Sequence, residues 1–427
     1  MRFVYRVLSY LLVPVAVLFF IWRGLRNPAY FDRIWERFGF IKTRMKQPSL
    51  WVHAVSVGEV QAASALISAL LDDYPESPVV VTTVTPTGAD RVKALFGDRV
   101  THVYAPWDLP GCVSRFFNRT HPRIAIIMET ELWPNLYNEC GSRGVPLVLA
   151  NARISPRSVP KYRRFVTLFR ETLSHGIVIA AQSEKDAERF RMIGAVPERT
   201  HVTGNIKFDF HLPPEVEEEG RQLRVRNAAD RPVWIAASTH EGEERILLDV
   251  AASVRRRHPD ALLILVPRHP ERFDGVAEMI ERRRERFVTR SSRTAVSSDD
   301  CIVLVDTLGE LPMFYHAADV AFIGGSLVPI GGHNLLEAAV AGIPILTGPF
   351  LFNTEEIAEM LQEVGAASVV ENGEALSTRI RAYFEDDEKR REDGAAGLAT
   401  VEENRGTLER LLALVRPLIE GGLPGSS

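Results

Sequence analysis

Short apolar runs rich in Val and Ile alternate with helical patterns along this chain, and that alternation predicts an α/β fold of two doubly wound, Rossmann-like domains. Three observations carry the expectation. Each strand-like run ends in Gly, Pro or a small polar residue and leads into a helix, as in parallel βαβ units buried on both faces. The set occurs twice, on either side of a polar stretch from His211 to Arg231 that carries no strand signal. The 427 residues also exceed what one core organises, at about 100–200 residues per domain.

The chain opens on an apolar run from Phe3 to Trp22. Its roughly 20 residues are long enough to span a bilayer, and no small-residue cleavage site follows, so residues 1–26 read as a retained anchor. From Arg2 to Lys46 nine Lys and Arg stand against Asp32 and Glu36, a balance of 9 − 2 = +7. The larger cluster follows the apolar run, which by the positive-inside tendency leaves the body cytoplasmic. Residues 27–46, with Tyr30, Phe31, Ile34, Trp35 and Phe38 among the basic groups, read either as an interfacial segment on anionic lipid or as a solvated basic helix.

Residues 47–210 form the first predicted domain. Its strand signals are LWVHAVSV before a turn at Gly58, then PVVVTTVT, RIAIIME, PLVLANAR and GIVIAAQ. Residues 211–427 form the second, opening with the connection and a helix and continuing through PVWIAAST, ALLILVPRH, CIVLVDT, DVAFIGGS and IPILTG. The terminal GGLPGSS reads as a frayed tail.

Composition excludes several classes. Hydrophobic residues at 46% and charged residues at 25% are those of a folded body, against wholesale disorder or a polytopic membrane protein. A net charge of −4 gives no support to a nucleic-acid partner. Cys112, Cys140 and Cys301 form no CxxC pair, so neither a disulfide framework nor a thiolate metal site is expected.

In doubly wound sheets ligands bind beyond the carboxyl ends of the strands. The residues there are Ser56, Gly58 and Glu59; Glu129 and Glu131; Asn205 and Lys207; Ser238 and His240; Arg268 and His269; Gly324 to Ser326; and His333, Asn334 and Glu337. Glu59 opens a helix, where it is either a functional carboxylate or a first-turn charge favoured by the dipole. The glycines of GGSLVPIGGHN allow close backbone approach, and the helix after Asn334 offers N–H groups to a phosphate; a capped Gly-rich turn is the plainer reading. No GxxxxGK[ST] loop or GxGxxG motif is present, so a P-loop ATPase is not expected.

With the segments HAVSVGEV, TTVTPTG, METELWPNL, NARIS, GNIKFD, PRHPERF, DTLGEL and GGSLVPIGGHNLLEAA, the chain resembles bacterial 3-deoxy-D-manno-octulosonic acid (Kdo) transferases from about Trp51 to Pro349. The resemblance implies a glycosyltransferase of the two-domain GT-B architecture, with its site in the interdomain cleft, CMP-Kdo as donor and a lipid A precursor (lipid IVA) as acceptor. It places Arg268, His269, Leu308, Gly309, Glu310, Asn334, Leu335, Leu336 and Glu337 around CMP, with Glu59 as proton acceptor and Glu131 and Lys207 supporting the transition state. No cofactor or metal is implied, since Arg, Lys and a helix N-terminus can balance one phosphate and one carboxylate. The partners implied are the donor, the lipid acceptor and inner-membrane lipid. The alternatives are a UDP-sugar transferase acting on another lipid, a sugar-nucleotide epimerase or hydrolase, and a silent scaffold.

Overall fold

The computed structural model describes residues 2–155, 158–164, 167, 176–210, 212–228 and 230–421. The chain divides into two compact units, Met1–Phe210 with Asn404–Ser427, and His211–Glu403. The tail expected to fray after Gly421 lies outside the described residues.

The first unit is built on seven parallel strands: β1 (Ser49–His53), β2 (Val79–Thr83), β3 (Thr101–Tyr104), β4 (Pro122–Met128), β5 (Leu147–Ala152), β6 (Val178–Ala181) and β7 (Thr200–Val202). Their order is β3-β2-β1-β4-β5-β6-β7. Every residue of β1, β2 and β5 is buried, because helices cover both faces of the sheet. Trp51, Phe116 and Tyr137 fill one face; Val52, Leu66 and Ile126 fill the other.

The second unit repeats the plan with β8 (Val233–Thr239), β9 (Leu262–Pro267), β10 (Phe287–Thr289), β11 (Ile302–Leu304), β12 (Val320–Ile323), β13 (Ile345–Thr347) and β14 (Ala367–Val369). The order is β10-β11-β9-β8-β12-β13-β14, again all parallel. Two doubly wound α/β units are therefore present. In each, the strands that follow the first lie on one side of it and the later ones on the other, so switch points fall between β1 and β4 and between β8 and β12.

The structure departs from the sequence reading at two places. Residues 404–421, assigned above to the second domain, belong to the first unit. The helix Thr407–Gly421 inserts Leu411, Leu412 and Val415 into the core beside β1 and β4, and the buried Asp209 carboxylate accepts the N–H of Gly406 at 2.6 Å and that of Leu408. Arg37, read as part of a lipid-facing basic segment, is buried: it donates to Val84 O at 2.8 Å and lies over the rings of Phe20 and Tyr104. For the expected anchor, no single described helix is long and apolar enough to cross a membrane; helices over Phe3–Leu11 and Val13–Arg26 reach that length as a pair, bent by 44°.

Because Leu412 is fully enclosed, Leu412→Ala leaves a cavity and is expected to destabilise the first unit by about 2–5 kcal/mol. Urea unfolding followed by tryptophan fluorescence measures it; a change below about 0.5 kcal/mol, the usual size at a surface position, would mean the helix is not part of that core.

Candidate active site

At the switch point of the first unit, β1 runs through Val55 and Ser56 into the short helix Val57–Ala62, which carries Glu59 in its first turn. Strand β4 ends at Met128, and Glu129 follows with φ of 56°, a left-handed backbone that a non-glycine residue adopts only when its surroundings hold it. Here they do, through the Glu129 N–H to Ala150 O bond at 2.9 Å. The turn sends Glu131 back toward Glu59. Trp133 Nε1–H donates to the Glu131 carboxylate, and Tyr137 Oη–H donates to its backbone oxygen at 2.7 Å.

Lys207 is positioned by a buried amide relay. Asn151, also left-handed at φ 53°, sits where the β5–β6 register shifts. Its Oδ1 accepts from Ile206 N at 3.0 Å, and Gln182 Nε2 donates to its backbone oxygen at 3.0 Å. Asn205 Nδ2 donates to Gln182 Oε1 at 3.0 Å, and Asn205 Oδ1 accepts from Lys207 N at 3.1 Å. The Lys207 ammonium then stands 3.8 Å from Glu129, which Arg153 approaches at 3.9 Å from the other side.

The three first-unit residues singled out by the resemblance thus converge, with Glu129 as a fourth member. Glu59 accepts a hydrogen bond from Val55 N at 2.8 Å, yet its carboxyl is pushed up to about 7. Burial is the main cause; Glu129 and Glu131 add to it, while the Val55 bond and Lys207 pull the other way. The pull of the helix start toward the ionised form is outweighed here, because desolvation and two like charges exceed what one short turn of helix supplies. Burial raises Glu131 as well, against the Trp133 hydrogen bond. Glu59 can therefore hold or take up a proton near neutral pH.

In the second unit Arg268 and His269 follow β9, with both side chains exposed. Arg268 acts electrostatically on Glu337, whose carboxyl burial raises and which accepts from Asn334 Nδ2 at 3.1 Å. Asn334 Oδ1 accepts from Leu336 N at 3.1 Å; Leu335 and Leu336 are wholly buried, so only their backbones can meet a ligand. Beside this group stand His240 and His333, their rings parallel within 5° and their Nε2 atoms 2.7 Å apart, with His269 edge-on to His240. Burial and the surrounding Arg268 and His269 hold His333 down at about 4, and burial lowers His240 too, so this pair is neutral at neutral pH and one ring donates to the other.

Leu308, Gly309 and Glu310 form a separate arm. Gly309 takes φ 85°, Leu308 is exposed, and Glu310 is bonded by Arg290 at 2.8 and 3.1 Å and by the Thr307 hydroxyl, which keep its carboxyl low. Among the described residues no hydrogen bond or ion pair joins this arm to the Arg268 group.

The glycine turn departs from the sequence reading. Gly325, Ser326 and Leu327 N–H do not await a phosphate: they donate to Glu243, fully buried, at 2.7, 3.0 and 2.9 Å, and His240 N adds a fourth bond at 2.9 Å. Gly331 and Gly332 N–H both donate to Gly325 O. The backbone approach that glycine permits is used inside the fold, which leaves Asn334 to Glu337 as the part of this segment available to a ligand. Sequence reasoning missed Glu243, although its place at a helix start just beyond β8 was the signal. It also gave no role to His240 and His333. Among the described residues no group of three or more His, Cys, Asp and Glu side chains is arranged to hold a metal ion.

Comparison with known proteins agrees with this organisation. Residues 32–210 match the family model described as 3-deoxy-D-manno-octulosonic-acid transferase (kdotransferase). A 3-deoxy-D-manno-octulosonic acid transferase of Haemophilus influenzae is 41% identical, over 98% of this chain and 99% of that protein. One from Bordetella pertussis is 38% identical over 78% and 79%. Among solved structures, MurG of Acinetobacter baumannii superposes with a TM-score of 0.57 over 87% of this chain and 99% of that one, at 10% identity, a likeness of fold alone. Near-complete coverage at such identity, on paired parallel sheets, establishes that the chain belongs to the 3-deoxy-D-manno-octulosonic acid transferases, a family of glycosyltransferases.

Proposed function

We propose that this chain moves Kdo from CMP-Kdo to a lipid A precursor, lipid IVA, at the cytoplasmic face of the bacterial inner membrane, with Glu59 as general base and no metal ion. The convergence of Glu59, Glu129, Glu131 and Lys207 carries the reading. An acceptor hydroxyl loses its proton as its oxygen bonds to the anomeric carbon, and a carboxylate within hydrogen-bond reach must receive it. Glu59 takes that proton; Lys207 and Glu131 stabilise the charge that develops beside it. The bond from the anomeric carbon to the CMP phosphate breaks in the same step, and the departing phosphate gains negative charge. Arg268, His269 and the backbone from Asn334 to Glu337 receive it, with Leu308 to Glu310 bounding the nucleotide.

A lipid acceptor is supported by an apolar cavity of about 480 Å³ in the first unit, walled by Leu8, Val13, Leu109, Leu132 and Trp133. Trp133 faces both this cavity and the Glu131 carboxylate, so an acyl chain in the one would hold a sugar hydroxyl near the other. Product mass analysis after incubation with CMP-Kdo and a tetra-acylated lipid A precursor tests donor and acceptor together; failure to form a Kdo-bearing lipid, with UDP rather than CMP competing for the enzyme, would replace the donor assignment.

Glu59→Gln is expected to leave CMP binding intact and lower turnover by about 10²–10⁴-fold. Because the base must be ionised and its carboxyl sits at about 7, kcat/KM should rise with pH through neutrality, and that limb should vanish in Glu59→Gln. Near-wild-type turnover in this variant, with Glu131→Gln inactive, would move the role to Glu131. Arg268→Ala is expected to weaken CMP binding by about 1.5–3 kcal/mol in calorimetry, the value of a hydrogen bond to a charged group. Unchanged affinity would remove Arg268 from the donor site.

A further inference from the structure

Residues 2–26 do not stand away from the body. Along the bent helix pair the partly or fully covered positions are Tyr5, Ser9, Val13, Val17, Phe20 and Gly24, spaced four, four, four, three and four, which is one stripe of an α-helix. That stripe meets the first unit at Tyr5 and Phe20. At one end Tyr5 Oη–H donates to Asp108 Oδ2 at 2.8 Å, and the same carboxylate accepts from Asn135 N and Leu136 N at 3.1 and 2.8 Å. Toward the other end the Phe20 ring meets Trp107 at 6.1 Å and Tyr30 at 5.8 Å, with the buried Arg37 guanidinium 4.8 Å over it. Gly24 is pressed so closely on Phe31 that a Cβ there would come within 2.3 Å of the ring.

The rest of the circumference is bare and apolar. Phe3, Leu11, Leu12, Val15, Leu18, Phe19, Trp22 and Leu25 are exposed, Leu18 by 67% and Leu25 by 75%. Arg6, Arg23, Arg26, Lys42, Arg44 and Lys46 are exposed around them.

A bilayer crossing is incompatible with this docking. A segment that spans a hydrocarbon core about 30 Å thick has its ends on opposite sides of the membrane, and a body on one side cannot hold both. Here two adjacent residues of the body, Asp108 and Trp107, hold Tyr5 and Phe20 alike. We infer that residues 2–26 lie in the plane of an anionic lipid surface, with the Tyr5–Gly24 stripe fixed to the body and the opposite face sunk into the acyl boundary. The exposed arginines and lysines supply the charge complementarity to acidic headgroups. The inference rests on the membrane-acceptor reading above and sharpens it: the amino terminus and the catalytic body share one side of the membrane, and the apolar cavity behind the helix pair opens at acyl depth.

Spin labels placed singly as Phe3→Cys, Leu11→Cys, Leu18→Cys and Leu25→Cys test it, in a Cys301→Ser background where Cys112 and Cys140 remain buried. The full chain is bound to vesicles of phosphatidylglycerol and phosphatidylethanolamine, and depth is read from oxygen and nickel-complex accessibility; the four sites are exposed, and CMP binding reports the fold. All four labels are expected at one shallow depth of about 5–10 Å. Depths that pass through the bilayer centre, about 15 Å from either boundary, with Phe3 and Leu25 near opposite faces, would overturn the in-plane arrangement and leave the membrane reading standing. Labels that meet no lipid at all would remove both.

Discussion

Parallel strands buried on both faces leave a chain almost nowhere to put chemistry. Their residues are committed to two apolar layers, as in β1, β2 and β5, where every position is buried. Polar groups are pushed to the carboxyl ends, and they crowd most where adjacent strands send their connections to opposite sides. Glu59 follows β1 and Glu129 and Glu131 follow β4; His240 follows β8 and Gly324 to Ser326 follow β12. Other strand pairings are irregular at their ends. Register shifts occur between Leu149 and Ala152 and between Ala237 and Thr239, and left-handed Asn151 and Ser238 lie within them. Bulges of this kind re-aim side chains beside functional sites.

The two switch points use the same raw material differently. Both hold a carboxylate at the start of a helix. Glu243 receives four backbone N–H bonds and vanishes into the fold, where it fixes the glycine turn. Glu59 receives one and faces Glu129 and Glu131. A carboxylate with its lone pairs satisfied is a structural bolt, since removing it strands several buried donors at about 1–3 kcal/mol each. One that is desolvated and crowded by like charge is available to protons. The difference lies in hydrogen-bond count, not in residue type or in position relative to a strand.

That difference explains what could be read from the sequence. The ten runs that announce themselves as strands are the inner strands of the two sheets. The four that do not, THVY, THV, FVT and ASV, are β3, β7, β10 and β14, the outer strand at each edge. An edge strand has one neighbour and a half-open face, so it needs neither length nor a continuous apolar run. Glu59, Glu131 and Lys207 were legible as strand-end polar residues, but the relay of Asn151, Gln182 and Asn205 that sets Lys207 spans three strands and has no local signature. The return of Thr407–Gly421 to the first unit was equally hidden: its apolar stripe shows that something is covered, not what. The buried Arg37 shows the converse, that a charge count along a segment does not reveal which charges the fold has already paired with aromatic rings.

The proposed roles divide proton handling and charge handling between the units. The first gathers carboxyl groups whose proton affinity is raised, Glu59 to about 7 and Glu131 in the same direction, so its state changes across neutral pH. The second surrounds its histidines with arginine, and His333 stays neutral until about pH 4. Arg268, exposed beside it, supplies positive charge. A glycosyl transfer that must remove a proton from one substrate and receive charge from the other gains from this division. The proton acceptor can be tuned by burial and like-charge crowding without altering the attraction for an anion, and the anion's attraction can be set by arginine without suppressing the base.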